Sequence, residues 1–192
     1  MNLNSAFFQR PDVLQIAREL LGKHLYTNID GQLTAGRVIE TEAYSDTGDH
    51  SMTLHLRRKR QQAQALYAPG GTAYLYTVYR VHTLFNINCH DAHHADTVLI
   101  RAVQPIAGQE LMRARRAFSG PEKKLASGPG LLTKALGLCP ALSGEPVTGP
   151  LIWFEDRGEV PGAAQVLAGP RIGLEYAGPE AAALPWRFRL LA

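Results

Sequence analysis

The stretch HLYTNIDGQLTAGRVIETEAY, His24 to Tyr44, decides the fold. Two runs rich in Leu, Tyr, Thr, Val and Ile flank Asp30-Gly31, a dipeptide that accepts the positive φ angles of a tight hairpin turn. The stretch therefore predicts two antiparallel strands. Upstream, Asp12 is placed to cap a helix running to about Leu21. Val13, Ile16, Ala17, Leu20 and Leu21 give that helix its apolar stripe, and Gly22 stops it. Downstream, GGTAYLYTVYRVHTLFNINC (70–89) reads as one or two strands after a Pro-Gly-Gly break, and DTVLIRAVQP (96–105) as another. IAGQELMRARRAF (106–118) reads as a helix packing through Leu111, Ala114 and Phe118. GPGLLTKALGL (128–138) reads as a short helix opened by Pro129. PLIWFED, AAQVLA, RIGLEY and WRFRLL suggest a closing set of short strands. The polar stretch 45–64 reads as a long functional loop with a helical turn near its end. Strands dominate, which predicts an α+β fold: one domain over 1–192, a largely antiparallel sheet and flanking helices.

The 192 residues, 45% hydrophobic and 19% charged, are globular in composition. No apolar run has the length of a membrane span, and the first residues lack the plan of a signal peptide. Cys89 and Cys139 are the two cysteines, too few for a disulfide framework, so a reducing cytoplasm is expected. The net charge of +3 is unevenly spread: Arg57 to Lys134 holds 12 Lys and Arg against 4 Asp and Glu. A basic face of this kind suits a polyanion such as nucleic acid, or is simply a solvated surface.

Four clusters offer chemistry. In VIETEAY, strand alternation sets Val38, Glu40, Glu42 and Tyr44 on one face, with Ile39, Thr41 and Ala43 on a core face. The acids are either an exposed polar face or a carboxylate at a pocket, fit to act as general base. In AYLYTVYR, three tyrosines precede Arg80 and His82, either as core residues or as a surface on which bases stack. In NCHDAHHAD (88–96), His90, Asp91, His93, His94 and Asp96 hold metal-ligating atoms, but the spacing matches no established metal motif and the stretch reads as a polar turn. Arg57, Arg58, Lys59 and Arg60 form a basic run suited to phosphates. Glycine-rich phosphate loops and a serine elbow are absent.

Four ordered stretches, RVIETEAYSDTGDHS, GGTAYLYTVYRVHTLFNI, TVLIRAVQPIAG and SGPGLLTKALGL, resemble the alkyladenine (3-methyladenine) DNA glycosylases over most of the chain. The resemblance implies a curved antiparallel sheet with a hairpin that inserts into the DNA minor groove. It implies that Glu42 activates a water against C1′, with Arg101 flanking that water and a phosphate. Tyr44, His50 and Tyr76 would wall the slot for a flipped base. Asn86 would sit beneath it, disfavouring the amino group of guanine. Tyr79 would be the intercalating wedge. Arg57, Arg58, Lys59, Arg60 and Arg80 would hold the backbone. The chain departs from the family's pattern at Arg80-Val81, where Gly and Met are usual, and at Leu131, where Lys is usual. Both departures bear on substrate range and DNA affinity. The implied enzyme is a monofunctional, monomeric glycosylase of the cytoplasm and nucleoid. It takes alkylated or deaminated purines from duplex DNA, with no metal, cofactor, lysine Schiff base or membrane. A non-catalytic damaged-DNA binding module and a metal-dependent hydrolase on His90, His93, His94 and Asp91 are the rival readings.

Overall fold

A computed structural model of the chain describes residues 1–191. The chain opens with a single helical turn, α1 (Ser5–Phe8), then α2 (Val13–Glu19). Asp12 caps α2 by accepting from the Gln15 amide at 2.9 Å, and Ile16, Ala17, Leu20 and Leu21 are fully buried. Strands β1 (His24–Ile29) and β2 (Gln32–Tyr44) form the expected hairpin, with Asp30 and Gly31 both at positive φ in the turn. Helix α3 (His50–Arg58) and a 3-10 turn (Gln62–Tyr67) follow. A second hairpin joins β3 (Ala73–Val78) to β4 (His82–Asn88), and β5 (Thr97–Ala107) comes next. Helices α4 (Gln109–Arg116) and α5 (Pro129–Leu136) precede β6 (Ile152–Glu155), β7 (Val166–Gly169), α6 (Pro179–Ala183) and β8 (Arg187–Leu190).

The eight strands make one antiparallel sheet in the order β3-β4-β5-β2-β1-β6, with β8 pairing to β2 and β7. Strand β2 is its spine. Its first half pairs with β1, its second half with β8, and β5 lies along its other edge. Such a change of partner along one strand bends the sheet. Helix α2 packs on β2, and α5 packs on β4 and β5 with α4 beyond it. Between helices and sheet lies the core, including Phe8, Leu25, Val38, Phe85, Ile100, Leu132, Phe154 and Phe188. The architecture is α+β, as the strand and helix pattern predicts.

Three local expectations give way. Residues 50–58 are a helix rather than loop, because Asp49 accepts from the Ser51 amide at 3.0 Å and opens a regular turn. Only Ser51 and Met52 of α3 are buried, so its apolar signal is faint. In α4 the buried residue is Met112, while Ala114 is exposed. RIGLEY forms no strand: Gly173 turns the chain at φ 76° and Glu175–Ala177 is a 3-10 turn.

Candidate active site

Strand alternation fails once along β2, and the site depends on that failure. Val38 pairs with Val103, Glu40 with Ala102, and Thr41 with Ile100. Ile39 on β2 and Arg101 on β5 are thus extra residues in a pair of irregular steps. Bulges of this kind re-aim the side chains that follow. Val38, expected on the face of the acids, instead enters the core, as do Ala43 and Ile100. Thr41 is buried too, donating to the Ala17 carbonyl at 2.8 Å. Glu40, Glu42 and Arg101 come together on the opposite side.

Adjacent strands then align four residues in a row. Tyr74 stands opposite Asn86, Asn86 opposite Leu99, and Leu99 opposite Glu42. Tyr74, Asn86 and Leu99 line a cavity of about 950 Å³, together with Tyr44, Tyr76, Arg101, Met52 and Leu66. That volume lies at the upper end of the range for small-molecule sites and admits a purine nucleotide.

Glu42 is fully buried, and three donors converge on its carboxylate. The Ile172 amide reaches Oε1 at 2.9 Å, while the Tyr44 hydroxyl and Arg101 Nη1 reach Oε2 at 2.8 and 3.1 Å. Arg101 also binds Glu40 at 3.1 Å, and Arg187 binds Glu40 at 3.0 Å. Two acids and two guanidinium groups therefore balance one another below the cavity. Burial, with the neighbouring Glu42 charge, pushes the Tyr44 hydroxyl well above its ordinary range, which keeps it a donor.

The walls are aromatic. Tyr74 and Tyr76 stack at 5.0 Å, and His55 lies 4.9 Å from the Tyr76 ring. His55 Nε2 and the Tyr74 hydroxyl are 2.9 Å apart. Burial, with the Lys59 charge, lowers the His55 pKa to about 4, so the ring is neutral near pH 7. His50, by contrast, is exposed at the start of α3 and does not line the cavity. The sequence-based placement of His50 in the wall is thereby corrected: His55, five residues on and on a different face of α3, lines the cavity instead.

The β3–β4 hairpin overhangs the rim. Tyr79 is 90% exposed, and both Tyr79 and Arg80 lie at positive φ, closed by a bond from the Val81 amide to the Val78 carbonyl at 3.1 Å. Arg58, Lys59, Leu131 and Tyr176 also line the cavity, and the Arg58 guanidinium sits 5.0 Å over the Tyr176 ring. Arg57 and Arg60 are exposed beside them. Lys59 is a lysine at the cavity that the motif reading did not place there.

Two residues that no motif singles out hold this arrangement. Arg171, buried, clasps buried Asp49 through two bonds, at 2.5 and 2.9 Å. The same guanidinium donates to the Ala43 carbonyl at 2.9 Å and lies 4.5 Å over the Tyr44 ring. It thus fixes the chain next to Ile172, whose amide serves Glu42. Burial alone would raise the Asp49 carboxyl, but bonds from Arg171 and Ser51 hold it below its usual value. Asp49 and Arg171 are 122 residues apart, and no spacing rule connects them.

Among the described residues, no helix is long and apolar enough to cross a membrane. A model of the family described as methylpurine-DNA glycosylase (MPG) matches residues 6–192. A Chlamydia felis protein whose name, assigned by inference, is 3-methyladenine DNA glycosylase is 39% identical over 98% of this chain and 95% of its own. A Shouchella clausii protein with the same inferred name is 36% identical over 97% of this chain and 90% of its own. One from Chlorobaculum tepidum is 39% identical over 90% and 81%.

Proposed function

Since this chain belongs to the methylpurine-DNA glycosylase family, and so is an N-glycosyl hydrolase acting on DNA, we propose that it extrudes an alkylated purine and hydrolyses its bond to C1′, with Glu42 as the general base. The observation that carries this reading is the buried Glu42 carboxylate at the end of the row Tyr74, Asn86, Leu99, under a cavity of nucleotide size.

In this scheme Glu42 accepts a proton from water. The water oxygen bonds to C1′, and the C1′–N bond breaks with its electron pair leaving on the base. A base alkylated at N3 of adenine or N7 of guanine is cationic, so it departs neutral without further protonation. A positioned base of this kind contributes about 10²–10⁴ in rate. Arg101 holds Glu42 and lines the cavity, where a phosphate or the attacking water would meet it. Extrusion costs a few kcal/mol, less at a damaged pair. Stacking on Tyr44 and Tyr76 returns about 1–3 kcal/mol, and a π-rich slot favours a cationic ring. Tyr79 fills the gap in the duplex, in the manner of other intercalating side chains. Arg57, Arg58, Lys59, Arg60 and Arg80 neutralise phosphates around the rim. Asn86 faces the base edge and selects against the amino group of guanine. Hypoxanthine and ethenoadenine, being neutral, are slower substrates, because their departure needs a proton or hydrogen bond. One chain forms the whole cavity, which suits a monomer acting on nucleoid DNA in the cytoplasm.

The test is Glu42→Gln on duplexes that each carry one defined lesion. Base release, read as alkali-labile abasic sites, should fall at least a hundredfold while lesion binding persists. Undiminished release would remove Glu42 from the role. Equal lesion binding by the wild type with no release from any duplex would favour the non-catalytic reading. Lys59 is the group to check for a Schiff base; borohydride should trap no protein–DNA adduct.

A further inference from the structure

We infer that Tyr176 is a positioning residue for DNA binding: its ring holds the Arg58 guanidinium at the cavity, and the pair grips a phosphate beside the extruded nucleotide. The inference rests on the glycosylase reading above and adds a residue to it. Arg58 and Tyr176 both line the cavity, with the guanidinium 5.0 Å over the ring. Tyr176 is 51% exposed, so the ring is not there to fill the core. Within the run Arg57 to Arg60, Arg58 is the one cation seated over a ring among the described residues.

A strap tied to both ends of α3 presents that ring. At the start of the helix, Arg171 binds the capping residue Asp49 and donates to the Ala181 carbonyl at 3.3 Å. Ile172 gives its amide to Glu42, and Gly173 turns the chain at φ 76°. The 3-10 turn Glu175–Ala177 then packs back on α3. Leu174 and Ala177 are buried under this turn, and the Ala177 amide closes it on the Leu174 carbonyl at 2.9 Å. Tyr176, between them, is left outward against Arg58, the last residue of α3.

Charge decides what the pair takes. Arg58 forms no ion pair with a carboxylate among the described residues, Glu175 beside Tyr176 included, and Asp49 is already taken by Arg171. An exposed arginine samples many rotamers, so ordering it on contact with a ligand costs entropy. A tyrosine face attracts the guanidinium and restricts it in advance, while its N–H edge stays open. That edge matches two oxygens of a phosphate, which an ammonium does not. The partner is duplex DNA, whose phosphates flank any nucleotide that enters the cavity. Such a contact carries no sequence information; it fixes where the extruded nucleotide stands relative to Glu42.

The experiment measures affinity for a duplex carrying one tetrahydrofuran abasic analogue, by fluorescence anisotropy over a series of sodium chloride concentrations. The analogue keeps the phosphates and has no base to release, so a failure of the hydrolytic scheme would not alter the result. Arg58→Ala should weaken binding at least fivefold and lower the salt slope by about 0.9, the share of one phosphate. Tyr176→Leu should weaken it at least threefold, but less than twofold further once Arg58 is replaced by alanine. Tyr176→Phe, which keeps the ring, should bind within twofold of the wild type. Losses that add in the double variant, or a Tyr176→Phe as weak as Tyr176→Leu, overturn the inference. Arg58→Lys is the arm that leaves the strap untouched. It keeps the charge and the salt slope, yet should still weaken binding at least threefold, because an ammonium neither stacks as a plane nor grips two oxygens. Wild-type affinity in Arg58→Lys overturns the clamp.

Discussion

Glu42 has no contact with solvent, yet three protein donors fill all but about one of the four lone-pair sites of its carboxylate. The free site is where a water would be bound and oriented. Tyr79 is its opposite: 90% exposed and in contact with little, it contributes almost nothing to stability. Tyr79→Ala should therefore change the unfolding free energy by less than about 0.5 kcal/mol. It should weaken capture of a lesion duplex at least tenfold more than binding to undamaged duplex. Fluorescence anisotropy on the two duplexes checks this, and equal losses would mean that Tyr79 is not the wedge. Tyr44, Tyr76, Tyr79, Asn86 and Arg101, which the resemblance put at one site, all line the cavity, and Glu42 is bonded to two of them, Tyr44 and Arg101. His55, Asp49 and Arg171 were not legible in the sequence. His55 reads as one more polar residue in a basic helix. Asp49 and Arg171 are a pair only in three dimensions.

At the scale of elements, the hairpin turn at Asp30-Gly31 and the cap at Asp12 were readable because both are local chemistry. The bulges in β2 and β5 were not, since a period of two has no way to announce where it slips. Their effect is large: they send Val38 into the core and bring Arg101 beside both acids. Helix α3 was missed for another reason. It is held by the Asp49–Arg171 pair and a few buried residues rather than by an apolar stripe. Arg171→Met should accordingly leave a buried carboxylate without its cation and destabilise the fold by about 3–5 kcal/mol. Urea unfolding midpoints measure this. Base release should fall as well, because the Ile172 amide would no longer be held against Glu42. A stability loss under about 1 kcal/mol would mean that Asp49 finds another partner.

For the whole molecule, acid sensitivity follows from two groups near the cavity. The Asp49 carboxyl is depressed by its bonds, so its contribution is complete above the ordinary value near 3.9 and is lost as pH falls through the lowered one. His55 is depressed to about 4 against roughly 6.5 when unfolded, which disfavours protonation of the folded state. Its contribution is complete above pH about 6.5 and declines steadily from there to about 4. The melting temperature should thus fall between pH 6.5 and 4, and His55→Gln should flatten that slope. A slope unchanged by His55→Gln would assign the acid loss to other groups. The uneven charge was legible in the sequence as a basic middle; that Arg58 and Lys59 reach the same cavity as Tyr79 needed the fold.

The tip of the β3–β4 hairpin is wound left-handed at two successive residues that carry side chains, Tyr79 and Arg80. Such a conformation is uncommon for residues other than glycine, asparagine and aspartate. Its cost is met when the chain folds, well before any duplex is encountered. If Tyr79 is the wedge proposed above, a tip already stiff would lose no freedom at each base pair it tests, so interrogation would be quick and only a pair that yields would be held.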